Sequence, residues 1–158
     1  MKIRWAVGGI YYRLNSDTGL YEVLTVQIPK FKDPNGNMYD NIPGGKVKAH
    51  DLRPSLSWTR KVALKRETTE ELGRCLAIED MLYLGRKPHY STDFDEPVLF
   101  LFENYLVKVS GPVIPDGREI HSFRWDTLDA KFSLNLYLSA RDLMAKVRVE
   151  GLICPKSK

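Results

Sequence analysis

Residues 66–73 read Arg66-Glu67-Thr68-Thr69-Glu70-Glu71-Leu72-Gly73, and the spacing of the three glutamates governs how the rest of the chain is understood. At about 100° per residue, Glu67, Glu70 and Glu71 fall within one sector of roughly 100° on a helix. The run from Ser55 to Gly73 predicts that helix, with Ser55 or Ser57 as N-cap and Gly73 as its stop. Trp58, Val62, Thr69 and Leu72 are expected on one side, and Ala63, Glu67, Glu70 and Glu71 on the other. Each pair of crowded carboxylates costs about 0.2 to 0.5 kcal/mol in a bare helix, little enough for a solvated face to tolerate. A solvated acidic face is therefore one reading. The other is a metal site, because a hard divalent cation prefers carboxylate oxygens and completes its shell with waters and phosphate oxygens. Arg66, four residues before Glu70, is placed to pair with a neighbouring glutamate and fix its rotamer.

Outward from the helix, strands are expected at Ile3 to Leu14 and Leu20 to Ile28, joined by a turn at Asn15, Ser16, Asp17 and Gly19. Pro29 to Asp40 reads as an exposed loop, and a short apolar step at Asn41 to Pro43 is ended by Gly44 and Gly45. Glycines at that point let the backbone approach a ligand, with amides for phosphate and carbonyls for metal. Further strands are expected at Met81 to Lys87, Val98 to Val109 and Glu119 to Trp125, with turns in Ser91 to Pro97 and Ser110 to Gly117. A last helix is expected near Leu134 to Val149, where Leu136, Ala140, Leu143 and Val147 recur at helical spacing.

The chain has 158 residues, 43% of them apolar, which suits one core and a single domain over 1–158. A charged fraction of 28% with three tryptophans argues against disorder, and no apolar run reaches the roughly 18 residues of a membrane span. Met1 to Ile10 lacks the apolar core and small-residue cleavage site of a signal peptide, so the cytoplasm is the expected compartment. Cys75 and Cys154 lack the spacing of a zinc or redox motif. The net charge of +4 is spread along the chain apart from Lys156 and Lys158, without the aromatic and basic interleaving of nucleic-acid modules.

Taken whole, residues 66–73 resemble the core of the Nudix box, in which Arg-Glu, two residues, Glu-Glu, one residue and Gly follow a Gly-Gly loop, here Gly44-Gly45. Gly8-Gly9 resembles the opening strand of that family. Glu119, six residues before Trp125, resembles its late acidic residue and following aromatic strand. The chain departs from the family in length. Twenty residues separate Gly45 from Arg66 where the pattern has thirteen, so seven are extra. The missing loop glutamate falls on Asp51 counting forward and on Trp58 counting back, and the aliphatic positions after Arg-Glu and after the last Gly are Thr68 and Arg74.

The resemblance implies an α/β (α+β) fold, an α/β/α sandwich with a mixed β-sheet between helices. It implies a pyrophosphohydrolase acting on a nucleoside diphosphate linked to another moiety. Glu67, Glu70 and Glu71 would hold Mg²⁺ or Mn²⁺, with the Gly45 carbonyl as a further donor and Gly44 and Gly45 beside substrate. Arg66 and Glu70 would serve catalysis, with Glu119 as first candidate for the base and Asp93, Asp95 and Glu96 in reserve. Tyr11, Tyr12, Phe31, Tyr39 and Tyr90 are candidates for stacking a base, while His50, His89 and His121 are assigned no role. The expected partner is a small nucleotide-like diphosphate, with no membrane or nucleic acid, and a homodimer is left open. The rival is a Nudix-like binding or regulatory module that cuts nothing. The extra residues between Lys48 and Leu52 read as an exposed loop whose length tunes substrate preference more than stability.

Overall fold

The computed structural model describes residues 1–92, 94–115 and 119–153. Its elements in chain order are β1 (Lys2–Leu14), β2 (Tyr21–Lys32), β3 (Met38–Asn41), β4 (Gly44–Lys46), α1 (Leu56–Leu72), β5 (Ala77–Ser91), β6 (Val98–Ser110), β7 (Ser122–Asp126), α2 (Leu128–Lys131) and α3 (Leu138–Val149). A single 3₁₀ turn, Ala49–Asp51, lies between β4 and α1. Asp93, Cys154, Lys156 and Lys158 lie outside the described residues.

β1 organises the sheet. Along one edge it runs parallel to β6, from Lys2 opposite Val98 to Tyr12 opposite Lys108. Its other edge is shared: Ala6, Val7 and Gly8 face Lys46, Gly45 and Gly44 of β4, whereas Tyr12 to Leu14 form a hairpin with Tyr21 to Val23. Asn15 shapes that hairpin, its side chain accepting from the Asp17 amide at 2.9 Å. β2 carries β3 and β7, and β5 closes the far edge against β6, so a parallel pair sits inside an otherwise antiparallel, mixed sheet. Val7, Tyr11, Leu24, Val26, Tyr105 and Val107 pack on one face with Ala63, Leu64 and Leu72 of α1. Ile10, Val23 and Leu106 pack on the other with Leu143, Met144 and Val147 of α3. The expected α+β architecture, a mixed sheet between helices, is what forms.

Local differences have local causes. The doubled glycine opens β4 instead of ending a strand, because a side chain on Gly44 would press on the Val7 carbonyl across the β1 ladder. Much of the expected loop from Pro29 to Asp40 is strand, since β2 continues to Lys32 and β3 begins at Met38. α3 starts at Leu138, later than expected. The preceding residues are taken up by β3: the Asp40 amide donates to Asn135 O and the Asp40 carbonyl accepts from Tyr137 N, both at 2.9 Å. α2, missed in the sequence, is capped by the Thr127 hydroxyl and anchored by Lys131, whose buried Nζ donates to Thr25 Oγ1 at 2.7 Å and to Asp126 at 3.0 Å.

The expected partition of α1 does not hold in full, although Ala63, Glu67 and Glu71 do share a side. Its ends hold, with Ser55 as N-cap and Gly73 as stop at φ 94°. However, Trp58 is 53% exposed, and Glu67 and Glu71 are buried on the same side as Ala63, Leu64 and Thr68. α1 packs on β1 and β4, and the bare glycine backbone of β4 leaves room for carboxylates where another strand would demand apolar side chains.

β5 forms an edge of the sheet and is irregular, with register shifts between Ile78 and Asp80 and between Tyr83 and Gly85. Lys146 of α3 donates to the Leu84 carbonyl at 2.9 Å. Among the described residues no helix is long and apolar enough to cross a membrane.

Candidate active site

Two glycines and one arginine build the site. A side chain at Gly45 would occupy the space of the Glu67 carboxylate, so the absence of a Cβ there is what admits that group to the strand. Gly44 donates its amide to Glu71 Oε2 at 3.1 Å. Both glutamates are nearly buried, at 6% and 5% exposure. Burial pushes Glu67 above the usual carboxylate range, against the pull of Arg66. Glu71 is pushed further, to about 8, by burial and then by the charge of Glu67; the Gly44 amide opposes this, and Glu119 and Glu70 add to it. Glu70, one position away, stays 47% exposed and bonds Arg66 at 2.8 Å and Lys48 at 3.5 Å.

Arg66 holds the acidic groups in place. Its Nε and Nη2 bind the two oxygens of Asp51 at 2.9 and 2.8 Å, Nη2 also reaches Lys46 O at 2.8 Å, and Nη1 reaches Glu67 at 2.7 Å and Glu70 at 2.8 Å. The Asp51 carboxylate is fully buried and also accepts the Lys48 amide at 2.8 Å. Hydrogen bonds from Arg66 hold Asp51 below its ordinary value, and the same bonds raise Arg66. Of the two positions weighed for the loop carboxylate, Asp51 meets Arg66 and Trp58 stays exposed at the first turn of α1. The extra segment is therefore no free loop, because it folds into the 3₁₀ turn that delivers Asp51.

Thr68, a departure from the family pattern, has its own role in packing. Its hydroxyl donates to Leu64 O at 2.7 Å and receives the Tyr11 hydroxyl at 2.6 Å, tying α1 to β1 between Glu67 and Glu71. Only a partner 57 residues away makes that bond legible, so no local signal announced it.

Among the described residues no three His, Cys, Asp or Glu side chains form a closed metal cage. The donor set suits a different ion. Burial drives both carboxylates toward protonation, with the charge of Glu67 adding to it at Glu71, and a hard cation that brings its own waters and phosphate oxygens would relieve that; a four-coordinate zinc site would not be satisfied here.

Glu119 is exposed just ahead of β7, within electrostatic reach of Glu71. Asp95 and Glu96 are exposed, and Glu96 pairs with Lys2 at 2.8 Å. His50 lies 3.7 Å from Asp51. Of the aromatic candidates, Tyr11 is core, Tyr12 packs on Tyr21, Tyr90 is 56% exposed, and Phe31 and Tyr39 both meet Tyr137. The alternation of Phe100 and Phe102 in β6, which places both on one face of the sheet, was the unread signal for the remaining rings.

A family model described as NUDIX domain matches residues 2–147. No curated protein matches the chain. Solved structures share the fold. A MutT NUDIX hydrolase from Burkholderia pseudomallei is 22% identical with a TM-score of 0.67, covering 93% of this chain and 99% of that one. The NUDIX domain of Shewanella oneidensis NrtR, solved with ADP ribose, is 15% identical with a TM-score of 0.68 over 95% and 89%. A C. elegans Ap4A hydrolase, solved as a binary complex, is 19% identical with a TM-score of 0.60 over 94% and 98%. With its glutamates gathered on a glycine strand and the family matched across nearly its whole length, the chain belongs to the Nudix family and is a hydrolase of pyrophosphate bonds.

Proposed function

We propose that this chain is a Mg²⁺-dependent pyrophosphohydrolase that cleaves the diphosphate of a nucleoside diphosphate linked to another moiety. The observation that carries the reading is the pair Glu67 and Glu71, buried against Gly45 and Gly44 and both pushed above the ordinary carboxylate range. A purely structural helix gains nothing from burying two like charges one turn apart.

Glu67, Glu70 and Glu71 would hold the ion, with the Gly45 carbonyl as a further donor and Mn²⁺ as a substitute. Bound there, Mg²⁺ neutralises phosphate charge and lowers the pKa of a coordinated water. Arg66 fixes the rotamers of Glu67 and Glu70, and its bonds to Asp51 and Lys46 O keep it from swinging away. Gly44 and Gly45 let a diphosphate lie close to the β4 backbone. Glu119, exposed and near Glu71, accepts the proton of the attacking water.

The test is product release from a panel of nucleoside triphosphates, nucleotide sugars, dinucleoside polyphosphates and coenzyme-like diphosphates, with and without Mg²⁺. Metal-dependent cleavage of at least one is expected, and cleavage of none overturns the reading. Glu119→Gln should lower turnover about 10²- to 10⁴-fold with the Mg²⁺ requirement unchanged. A raised half-activating Mg²⁺ concentration, rescued by added metal, would make Glu119 a ligand instead.

A further inference from the structure

The buried side of α1 consists of two neighbouring rows at four-residue spacing. Ala63, Glu67 and Glu71 make one, and its two glutamates meet the glycines of β4. Leu64, Thr68 and Leu72 make the other, and its two leucines pack in the core with Val7 and Tyr11. The two rows are held differently. A helix is ordinarily kept from rolling by side chains that interlock with those of its neighbour, and Gly44 and Gly45 offer none beneath the glutamates. With the helix surface about 5 to 6 Å from its axis, a roll of about 10° carries a carboxylate roughly 1 Å. Metal–ligand distances tolerate about 0.2 Å. The row that carries the carboxylates therefore cannot set its own position with the accuracy an ion needs.

The neighbouring row supplies the missing hold. Thr68, 3% exposed between the fully buried Leu64 and Leu72, stands where the Nudix pattern has an aliphatic residue. Its own proton goes to Leu64 O at 2.7 Å, so the proton shared with the Tyr11 hydroxyl at 2.6 Å is the tyrosine's. Burial pushes the Tyr11 hydroxyl above its ordinary value, and it stays a donor at neutral pH. Tyr11 itself is anchored in β1, opposite Val107 of β6. Arg66, two residues before Thr68 and so about 200° round the helix, ties the other flank to Lys46 O and Asp51. Apolar contacts are non-directional, whereas a hydrogen bond weakens steeply off its axis. Ties on both flanks stop a roll in either sense.

We propose that the hydrogen bond from Tyr11 to Thr68 is a positioning device for metal binding, fixing the roll of α1 at which Glu67 and Glu71 present their carboxylates beside Gly45 and Gly44. This rests on the metal-dependent reading above and deepens it. Both are positioning residues, buried beneath the helix and acting on the ion through the two glutamates.

The test uses the full chain with Mn²⁺ as the probe, the free ion being followed by its EPR signal without substrate. Tyr11→Phe and Thr68→Val each remove one hydroxyl and keep the shape. Each should weaken Mn²⁺ binding roughly fivefold, in line with one neutral hydrogen bond, and raise the half-activating Mg²⁺ concentration while saturating Mg²⁺ restores turnover. The double variant should lose no more than either single one, because both remove the same bond. Thr68→Ser keeps the hydroxyl and should bind Mn²⁺ like wild type. Val147→Ala, a truncation beneath α3 on the opposite face of the sheet, should lower the urea midpoint without moving Mn²⁺ affinity. The device is overturned if wild type takes up no Mn²⁺, if both single variants bind it like wild type, or if their losses add in the double variant. It is equally overturned if Thr68→Ser loses as much as Thr68→Val, or if Val147→Ala loses as much as either. Mg²⁺-dependent cleavage by wild type alongside any of those results leaves the hydrolase reading standing. The expected Mn²⁺ losses in a protein that cleaves nothing do the reverse.

Discussion

Arg66 makes five hydrogen bonds from its guanidinium, one for each N–H that an arginine owns. A lysine at that position has three donors on a single nitrogen and cannot span Asp51 and the two glutamates together. Arg66→Lys should cost about 2 kcal/mol in urea unfolding and cut turnover, because Glu67 and Glu70 lose their shared brace. The pairing also sets an acid limit. Since the folded-state pKa of Asp51 lies below the unfolded value near 3.9, its contribution is fully present above about pH 4 and is lost as pH falls through the folded value. Urea midpoints measured from pH 7 down to pH 2 should therefore fall less steeply at the acid end in Asp51→Asn than in wild type. Gly45→Ala should abolish most activity, since even a methyl group there displaces the Glu67 carboxylate; wild-type turnover in that variant would remove Glu67 from the site. At this scale the sequence was informative wherever spacing along one helix decides geometry. Arg66 beside Glu67 and four before Glu70 could be read directly, and Asp51 was reached by counting. The Tyr11 to Thr68 bond and the reach of Lys46 depend on which strands become neighbours, and no local pattern contains that.

The helix α1 and the segment before it act as one element. Residues 48 to 52, expected as a loop that tunes selectivity, carry a buried carboxylate, Asp51, that anchors Arg66. Deleting Lys48 to Leu52 should lower the melting temperature by several degrees and reduce turnover on every substrate alike; a shift in selectivity with unchanged stability would restore the loop reading. Glu71→Gln should behave in the opposite sense for stability. Glutamine still accepts the Gly44 amide while removing a charge that burial and Glu67 both oppose, so metal-free stability should hold or rise by about 1 kcal/mol, while Mg²⁺-dependent turnover collapses. The ends of α1 were legible because Ser55 and Gly73 are chemical punctuation. Its buried face was not, because a hydrophobicity pattern assumes that a helix packs on side chains, and this one packs partly on bare backbone.

For the molecule as a whole, the strand runs expected on either side of the Asn15 to Gly19 turn and the periodicity of α3 announced a mixed α and β architecture, but pairing partners stayed hidden. That β1 lies parallel to β6 and shares its other edge between β2 and β4 follows from which faces must be covered once all strands exist. The sheet must still end somewhere, and one of its ends is β5. A long regular strand with free amides and carbonyls is a template on which copies of a chain can add without limit. Two irregularities, Pro88 within the strand and Lys146 seated on the Leu84 carbonyl break that template. Lys146→Met should leave turnover intact but make the protein scatter light at lower temperature and concentration during heating. With that lysine gone, the Leu84 carbonyl would stand open to the amide of a neighbouring copy, which is how a sheet begins to grow from one chain into the next.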